Sequence, residues 1–216
     1  MNSLDNPALR RGLYVITDAA LGGGHLPIAR AAVAGGARIV QLRDKSARPL
    51  SKILAEARAV RAITQASDVL LFINDRLDLA LACEADGVHL GPDDLPVAAA
   101  RRIVPAGFLV GASCGTPDEA RRATDEGANI IGAGAIFGTQ TKKDAGDAIG
   151  VEALSAIVAA TSLPVAAIGG VSLANIARVT AAGASFACVV SAVASAGDEI
   201  AMTQSVGALI RAAGFK

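Results

Sequence analysis

The feature that most constrains the fold of this chain is a succession of eight short segments rich in β-forming residues, separated by stretches long enough for a helix. Their starts lie about 25 residues apart on average, which is the length of one strand–helix unit. Most are apolar at successive positions, a pattern typical of parallel strands covered on both faces. The segments are residues 13–17, 38–42, 69–74, 87–90, 108–111, 129–132, 165–168 and 187–190. Eight such units predict an α/β fold, the (β/α)8 TIM barrel.

A recurring signal at the predicted helix ends supports this fold. Glycine-containing turns at residues 34–37, 126–128 and 182–184 each precede a strand, and residues 84–87 are a looser copy. Glycine readily adopts the left-handed conformation that ends a helix, after which the chain enters the next strand. Residues 50–66 show the two-sided pattern of a helix, and Thr116 followed by Pro117 predicts the start of another.

The competing fold is an open, doubly wound sheet, which usually carries a G-x-G-x-x-G turn after its first strand. Here residues 17–20 (TDAA) follow that strand, and the glycines at 22–24 come too late and with the wrong spacing. No linker or shift in composition marks a second domain. We therefore expect an N-terminal tail over residues 1–12 and a single barrel domain over residues 13–216.

Charge and cysteine content narrow the range of partners. The 20 basic and 20 acidic residues cancel, and aromatic residues make up 3% of the chain. We expect no nucleic-acid and no membrane partner. Proteins that bind nucleic acids or anionic membranes usually carry an excess of basic residues, and nucleic-acid bases stack on aromatic rings. Cys83, Cys114 and Cys188 show no metal-binding or redox spacing, which predicts a reduced, cytoplasmic protein. A homo-oligomer is compatible with this composition.

Polar residues and glycines gather where the predicted strands end, which is the edge that carries the active site in this fold. Gly169 and Gly170 follow the seventh strand, and Val190 and Ser191 close the eighth. Backbone N–H groups after these two strands often bind a phosphate in barrels. The pattern favours a phosphate site, with a simple chain turn as the alternative interpretation of the glycine pair.

A second anion-binding region is predicted by three cations, Arg43, Lys45 and Lys142, and two acids, Asp75 and Asp94. Acids and bases are compatible in one pocket when a divalent metal joins them. Mg²⁺ binds few carboxylates and completes its octahedron with water and phosphate oxygens. The set therefore predicts a holder for a diphosphate. Ordinary surface ion pairs are the alternative, and five charged residues at one rim make it the weaker one.

No set of residues for nucleophilic catalysis can be assembled from the sequence. Ser113 and Cys114 are adjacent, but neither His25 nor His89 belongs to a supporting motif. We interpret Cys114 as a small buried residue and His89 as a packed strand residue. Asp86, just before the fourth strand, is interpreted as a surface or capping group.

Several short segments match a known family in their order and spacing. They are residues 14–18 (YVITD), 41–45 (QLRDK), 74–76 (NDR), 86–91 (DGVHLG) with 93–94 (DD), 111–113 (GAS), 139–142 (TQTK), 168–170 (IGG) and 190–191 (VS). With these motifs the chain resembles the thiamine-phosphate synthase family from residue 13 to about residue 194. The resemblance implies a (β/α)8 barrel and a Mg²⁺-dependent transferase. Such an enzyme joins 4-amino-2-methyl-5-(diphosphooxymethyl)pyrimidine to a thiazole phosphate, giving thiamine phosphate and diphosphate.

The resemblance also implies roles for individual residues. Catalysis would fall to Arg43, Lys45, Ser113 and Lys142. The pyrimidine diphosphate would contact Gln41, Arg43, Lys45, Asn74, Ser113 and Lys142. The thiazole phosphate would contact Thr139, Thr141, Gly170, Val190 and Ser191, while Asp75 and Asp94 would hold Mg²⁺. The loop over residues 138–143 would cover the pocket. Pro92, Gly115 and Gly138 stand where Gln, His and Pro are common in the family.

Three other functions stay open at this point. A thiazole tautomerase of the same superfamily resembles the synthase, but the presence of Arg43, Lys45, Asp75 and Asp94 together argues against it. The second is another phosphate-binding barrel, such as a sugar-phosphate epimerase or an indole-forming synthase. The third is a non-catalytic regulator that binds ligands of the thiamine pathway.

Overall fold

The computed structural model describes residue 9 and residues 11–139 and 146–215, and the statements below concern these residues. They form a closed barrel of eight parallel strands that pair in chain order, with the eighth strand closing against the first. The strands are β1 (Gly12–Asp18), β2 (Ile39–Arg43), β3 (Leu70–Asn74), β4 (Gly87–Leu90), β5 (Leu109–Cys114), β6 (Ile130–Ala133), β7 (Val165–Ala167) and β8 (Phe186–Val189). The helices are α1 (His25–Ala34), α2 (Leu50–Gln65), α3 (Leu77–Ala82), α4 (Val97–Arg101), α5 (Pro117–Asp125), α6 (Gly150–Ala159), α7 (Ile176–Ala181), α8 (Ser191–Ala194) and α9 (Glu199–Ala213). The prediction of a (β/α)8 barrel is confirmed.

All eight predicted strands are present, and their ends shift by at most three residues. The largest shift is in β5, which continues to Cys114 because Ser113 and Cys114 pair with β6. The apolar residues of this segment end at residue 111, which is why the predicted strand ends there. Pairing with a neighbouring strand uses backbone groups, so it can continue through polar residues. At the other end of the chain, β1 begins at Gly12, inside the predicted tail, and Leu9 is already buried in the barrel.

Successive residues of each strand point alternately towards the helices and into the barrel. On β1, Leu13 and Val15 pack in the layer beneath the helices, while Tyr14 and Ile16 belong to a separate inner cluster. We call this inner cluster the barrel floor. It consists of Leu9, Tyr14, Ile16, Ile39, Phe72, Leu109, Ile130, Ala166, Phe186 and Cys188. Because these side chains close the N-terminal part of the barrel, the space beyond them opens towards the C-terminal ends of the strands.

The predicted helix-to-strand turns are also confirmed. Gly36, Gly127 and Gly183 have φ angles of 93°, 94° and 92°, in the left-handed region that glycine adopts without strain. In the looser copy of this turn, Glu84 takes a similar conformation with φ 55°. At the start of α5, the hydroxyl of Thr116 accepts a hydrogen bond from the Glu119 backbone N–H, which completes the cap that the sequence predicts.

The N-terminal end of the barrel carries polar groups with structural partners. Asp86 Oδ2 accepts a hydrogen bond from the Leu71 backbone N–H at 2.8 Å and lies 2.7 Å from Arg61 Nη1. This geometry supports the interpretation of Asp86 as a capping group. Within the described ranges, no helix combines the length and apolar character needed to cross a membrane.

Candidate active site

A cavity opens at the C-terminal ends of the strands and encloses about 220 Å³. Every predicted site residue that the structure describes lines it. These residues are Gln41, Arg43, Lys45, Asn74, Asp75, Asp94, Ser113, Thr139, Gly170, Val190 and Ser191. Thr141, Lys142 and most of the predicted covering loop lie outside the described residues. The predicted residues thus share one pocket, while the role of each stays a prediction.

One side of the pocket is charged, and we call it the charged half: Arg43, Lys45, Asp75 and Asp94, which lie at or just after the ends of β2, β3 and β4. Lys45 Nζ lies 2.5 Å from Asp75 Oδ2. Asp94 Oδ2 accepts a hydrogen bond from the Gly91 backbone N–H at 2.7 Å. Burial and the adjacent Asp75 carboxyl together raise the pKa of Asp94. A buried carboxylate whose ionised form is disfavoured in this way would be stabilised by a nearby cation.

The backbone at the end of β3 aims one of these acids into the pocket. Asp75 has a φ of 62°, a conformation that aspartate and asparagine tolerate better than most residues, and its N–H donates to the His89 carbonyl at 2.8 Å. Asp93 also lines the cavity, but it is exposed, whereas Asp94 is half-buried. The structure therefore brings Asp75 and Asp94 together, as predicted, and leaves Asp93 nearer to solvent.

Alternation along β2 places two predicted ligand contacts on the inner face. Gln41 is buried and its Nε2 donates to the Tyr14 hydroxyl at 2.6 Å. Burial raises the pKa of Tyr14 well above its ordinary value, so this hydroxyl stays protonated. Two residues further on, Arg43 lies with its Nη1 3.5 Å from Asp18 Oδ2 of β1. The guanidinium is thereby held at the rim of the pocket.

Among the described residues, the side of the pocket that follows β7 and β8 carries no charged side chain, and we call it the glycine half: Gly169, Gly170, Val190 and Ser191. Gly169 and Gly170 have φ angles of 98° and 65°. A Cβ on Gly169 would lie 2.6 Å from the Ala135 Cα, and one on Gly170 would lie 2.5 Å from the Gly138 carbonyl oxygen. Glycine is therefore required here both by the backbone conformation and by close packing against the segment that follows β6.

His89 is a pocket residue that the sequence analysis did not select. Its side chain points into the barrel, lines the cavity and places Nε2 3.1 Å from the Ser113 hydroxyl. Gly111 and Gly132 make room for the ring, because a Cβ at either position would collide with it. His89 is packed in its strand, as interpreted from the sequence, but its side chain also forms part of the site. The signal was available in the sequence: Val88 and Leu90 face the helices, so His89 between them must face inward.

Cys114 follows Ser113 on β5 and points away from the pocket into the layer beneath the helices. Burial raises the pKa of its thiol to about 12, so it is protonated at neutral pH. The interpretation of Cys114 as a small buried residue is confirmed. The structure thus offers no activated thiol nucleophile at this point.

A closed (β/α)8 barrel with charged side chains and glycine turns around one cavity defines a barrel enzyme that acts on small molecules. A more specific statement follows from comparison with known proteins. The family model described as thiamine monophosphate synthase matches residues 13–193. The chain therefore belongs to the thiamine-phosphate synthase family.

Named relatives agree with this assignment. The chain is 51% identical to a thiamine-phosphate synthase of Methanoculleus marisnigri over 203 residues, covering 93% of this chain and 96% of the relative. It is 48% identical to a thiamine-phosphate synthase of Methanoregula boonei, covering 92% of each chain. A solved structure of thiamine phosphate pyrophosphorylase from Pyrococcus furiosus superposes with a TM-score of 0.88 at 37% identity, covering 97% of this chain and 98% of that one. The resemblance stated from the sequence motifs is confirmed.

Proposed function

We propose that this chain joins 4-amino-2-methyl-5-(diphosphooxymethyl)pyrimidine to a thiazole phosphate in a Mg²⁺-dependent reaction that releases diphosphate. The observation that carries the proposal is that the charged half and the glycine half line the same cavity. A diphosphate at one half and a monophosphate at the other would leave the two reacting rings between them. Holding both reactants in this way removes much of the entropic barrier to their reaction.

The acids of the charged half fit a divalent cation. Burial, together with the neighbouring Asp75 carboxyl, raises the pKa of Asp94, and a bound cation would favour its ionised form. Asp75 and Asp94 would hold the ion, and hard oxygen ligands of this kind suit Mg²⁺. When bound, Mg²⁺ would withdraw charge from the diphosphate oxygens and so improve the leaving group.

The side chains of the charged half act on the bond that breaks. The bond between the exocyclic CH₂ carbon and the diphosphate oxygen breaks, and its electron pair leaves with the diphosphate. Arg43 and Lys45 stabilise the negative charge that develops there. The aminopyrimidine ring donates electrons to the carbon cation that forms. Gln41, Asn74 and Ser113, which line the cavity, would surround this ring. The lone pair of the thiazole nitrogen then forms the new C–N bond.

The glycine half would hold the thiazole phosphate through backbone N–H groups rather than through charge. This division of labour needs no covalent nucleophile, which accords with the protonated, outward-facing thiol of Cys114. The proposal includes a cytoplasmic location, for which the buried free thiols Cys83, Cys114 and Cys188 are the support.

The proposal is tested by incubating the purified protein with both substrates and Mg²⁺ and measuring thiamine phosphate and diphosphate. We expect turnover that stops in excess chelator and returns when Mg²⁺ is restored. Isomerisation of the thiazole without the pyrimidine would identify a tautomerase instead. Binding of both ligands without product would identify a regulator, and full turnover in chelator would refute the metal requirement.

A further inference from the structure

A buried polar cluster lies beside the pocket, between the ends of β1 and β2 and the helices α1 and α2. We call it the Asp44 cluster: Thr17, His25, Asp44, Arg48 and Glu56. The side chains of His25 and Asp44 are 0% and 1% exposed, although both are polar. His25 Nε2 lies 3.2 Å from Asp44 Oδ2, and His25 Nδ1 lies 2.7 Å from the Thr17 hydroxyl. Such a cluster requires an explanation, because burying polar groups is unfavourable unless they are fully paired.

A metal site is the first explanation to consider, since His25, Asp44 and Glu56 have ligand atoms close enough to share an ion. Arg48 argues against it. Its guanidinium hydrogen-bonds to the Asp44 carboxylate, and its Nη1 and Nη2 donate to Glu56 Oε1 and Oε2 at 2.6 and 3.0 Å. Both carboxylates already hold a cation, and that cation belongs to the protein. The cluster is therefore an internal ion network.

The position of Asp44 in the chain gives this network a consequence for the pocket. Asp44 lies between Arg43 and Lys45, and these two neighbours line the cavity while the Asp44 side chain is buried in the cluster. Arg43 is paired with Asp18 of β1, and Lys45 with Asp75 after β3. Three consecutive side chains are thus held by three different parts of the barrel.

The Asp44 carboxylate also sets the path of the backbone that follows. Its Oδ1 accepts hydrogen bonds from the Ser46 backbone N–H at 2.8 Å and from the Ser46 hydroxyl at 2.5 Å. Burial opposes ionisation of Asp44, but hydrogen bonds from Arg48, Ser46 and His25 outweigh burial and lower its pKa well below the ordinary value. Moving this ionised group out of place would leave the buried Nε2 of His25 without its acceptor and would remove one of the two carboxylates that bind Arg48, which is unfavourable in a buried site.

We propose that Asp44 is a positioning residue, anchored by His25 and Arg48, which fixes the turn after β2 so that Arg43 and Lys45 face the diphosphate before it binds. The inference rests on the proposed function, in which Arg43 and Lys45 bind the diphosphate. Charged groups that are held in place in advance stabilise a ligand or transition state without reorganising. Asp44 itself faces away from the cavity and would contact no substrate.

The experiment is calorimetric titration of inorganic diphosphate with Mg²⁺, and separately of thiazole phosphate, into the full-length chain. The substitution Asp44→Asn keeps the shape of the side chain and removes its charge. We expect the Kd for diphosphate to rise about 10- to 100-fold, the loss expected when hydrogen bonds from charged groups to a ligand are weakened. The Kd for thiazole phosphate should not change, because the glycine half follows β7 and β8, whereas the hydrogen bonds of the cluster join β1, α1, α2 and the turn after β2.

Asp86→Asn is the matched control. Asp86 also accepts from an arginine and from a backbone N–H, but at the N-terminal end of the barrel. This variant should lower the melting temperature and leave both Kd values unchanged. A purely structural Asp44 would behave in the same way, so an unchanged diphosphate Kd in folded Asp44→Asn would overturn the inference. If Asp44→Asn does not fold, Arg48→Gln decides, because Arg48 is partly exposed and its loss should raise the diphosphate Kd by a smaller factor.

The wild-type titration separates this inference from the proposed function. A wild-type chain that binds no diphosphate with Mg²⁺ would overturn the proposed diphosphate holder, and the positioning role with it. A wild-type chain that binds diphosphate, with variants that bind it equally well, would overturn the positioning role alone.

Discussion

The charged half and the glycine half line the same cavity but are built by different means. In the charged half, long side chains reach the pocket and are held by ion pairs, such as Lys45 with Asp75. In the glycine half, the backbone itself lines the pocket, and Gly169 and Gly170 have no room for a side chain. The first design suits a ligand of high charge together with a metal, and the second suits close approach by a single phosphate.

The two halves should therefore fail in different ways. Substitution in the charged half removes charge but leaves the backbone in place, so we expect loss of rate with little loss of stability. Substitution in the glycine half moves the backbone, so binding and stability should fall together.

Asp75→Asn should have the largest effect on the rate. Asparagine keeps the shape of the side chain and tolerates the φ of 62° at this position, so the fold should be retained. Loss of the charge should lower kcat about 10²- to 10³-fold, as removal of one preorganised electrostatic group does. The measurement is steady-state turnover at saturating Mg²⁺. Asp78→Asn, in an exposed ion pair with Arg76, is the control and should retain wild-type turnover; equal activity of the two variants would contradict the prediction.

Asp94→Ala should be more damaging than Asp93→Ala. Asp94 lies beside Asp75 and is partly buried, whereas Asp93 is exposed. We expect Asp94→Ala to raise the Mg²⁺ concentration required for half-maximal activity about 10- to 100-fold, a range typical of weakened metal sites. Asp93→Ala should leave that concentration close to the wild-type value. The reverse ranking would mean that the metal is assigned to the wrong neighbour.

Gly170→Ala should weaken thiazole-phosphate binding about tenfold or more, because the new Cβ would displace the chain after β6 and the phosphate site with it. Gly107→Ala is the matched control. Gly107 has a φ of 85°, but a Cβ there would meet no atom within 4 Å. It should cost about 1–2 kcal/mol of stability from the left-handed conformation alone and leave substrate binding unchanged.

The reciprocal variant completes this test. Arg43→Ala should weaken binding of the pyrimidine diphosphate and spare the thiazole phosphate, the opposite of Gly170→Ala. Calorimetric titration of each substrate, or of a non-reactive analogue, into the folded variants measures both. Equal weakening of both ligands by Gly170→Ala would show that the two halves are not separate subsites.

Acid should lower the free energy of unfolding through Asp44, which lies between Arg43 and Lys45 of the charged half. Its hydrogen bonds hold its pKa in the folded chain below the ordinary value, so its ionised form contributes stability above about pH 4. That contribution is lost as the pH falls from about 4 through the lowered folded pKa, because the unfolded chain then binds the proton more readily. The difference in unfolding free energy between wild type and Asp44→Asn should therefore narrow over this range, by about 1.4 kcal/mol for each unit by which folding lowers the pKa. Denaturant unfolding at a series of pH values measures it, and a constant difference would contradict the assignment.

The sequence predicts the strands and the pocket residues well for a physical reason. Buried parallel strands are mostly apolar, so a charged residue such as Arg43 or Asp75 marks the place where a strand leaves the core. The capping group Thr116 and the left-handed glycines are likewise dictated by local backbone chemistry. These signals need no knowledge of what lies on the neighbouring strand.

The residues that sequence analysis missed depend on contacts between distant segments. Asp44 gains its role from His25, which lies 19 positions earlier in the chain, and no local pattern joins the two. At Gly170 the sequence predicts a phosphate site, but it cannot show that the Gly138 carbonyl oxygen lies within reach of a new Cβ. His89 is an intermediate case, since alternation on β4 indicates its direction, but only once the barrel is assumed.

The packing of the His89 ring against two glycines restricts how this pocket can evolve or be re-engineered. The ring occupies space that Gly111 and Gly132 leave empty, so the three positions share one volume. Enlarging either glycine alone creates a clash, and shrinking the histidine alone leaves a void. A substitution at one of these positions is therefore tolerated only when a compensating substitution is made at another, so these substitutions are epistatic. Libraries that redesign this barrel should therefore vary the three positions together rather than one at a time.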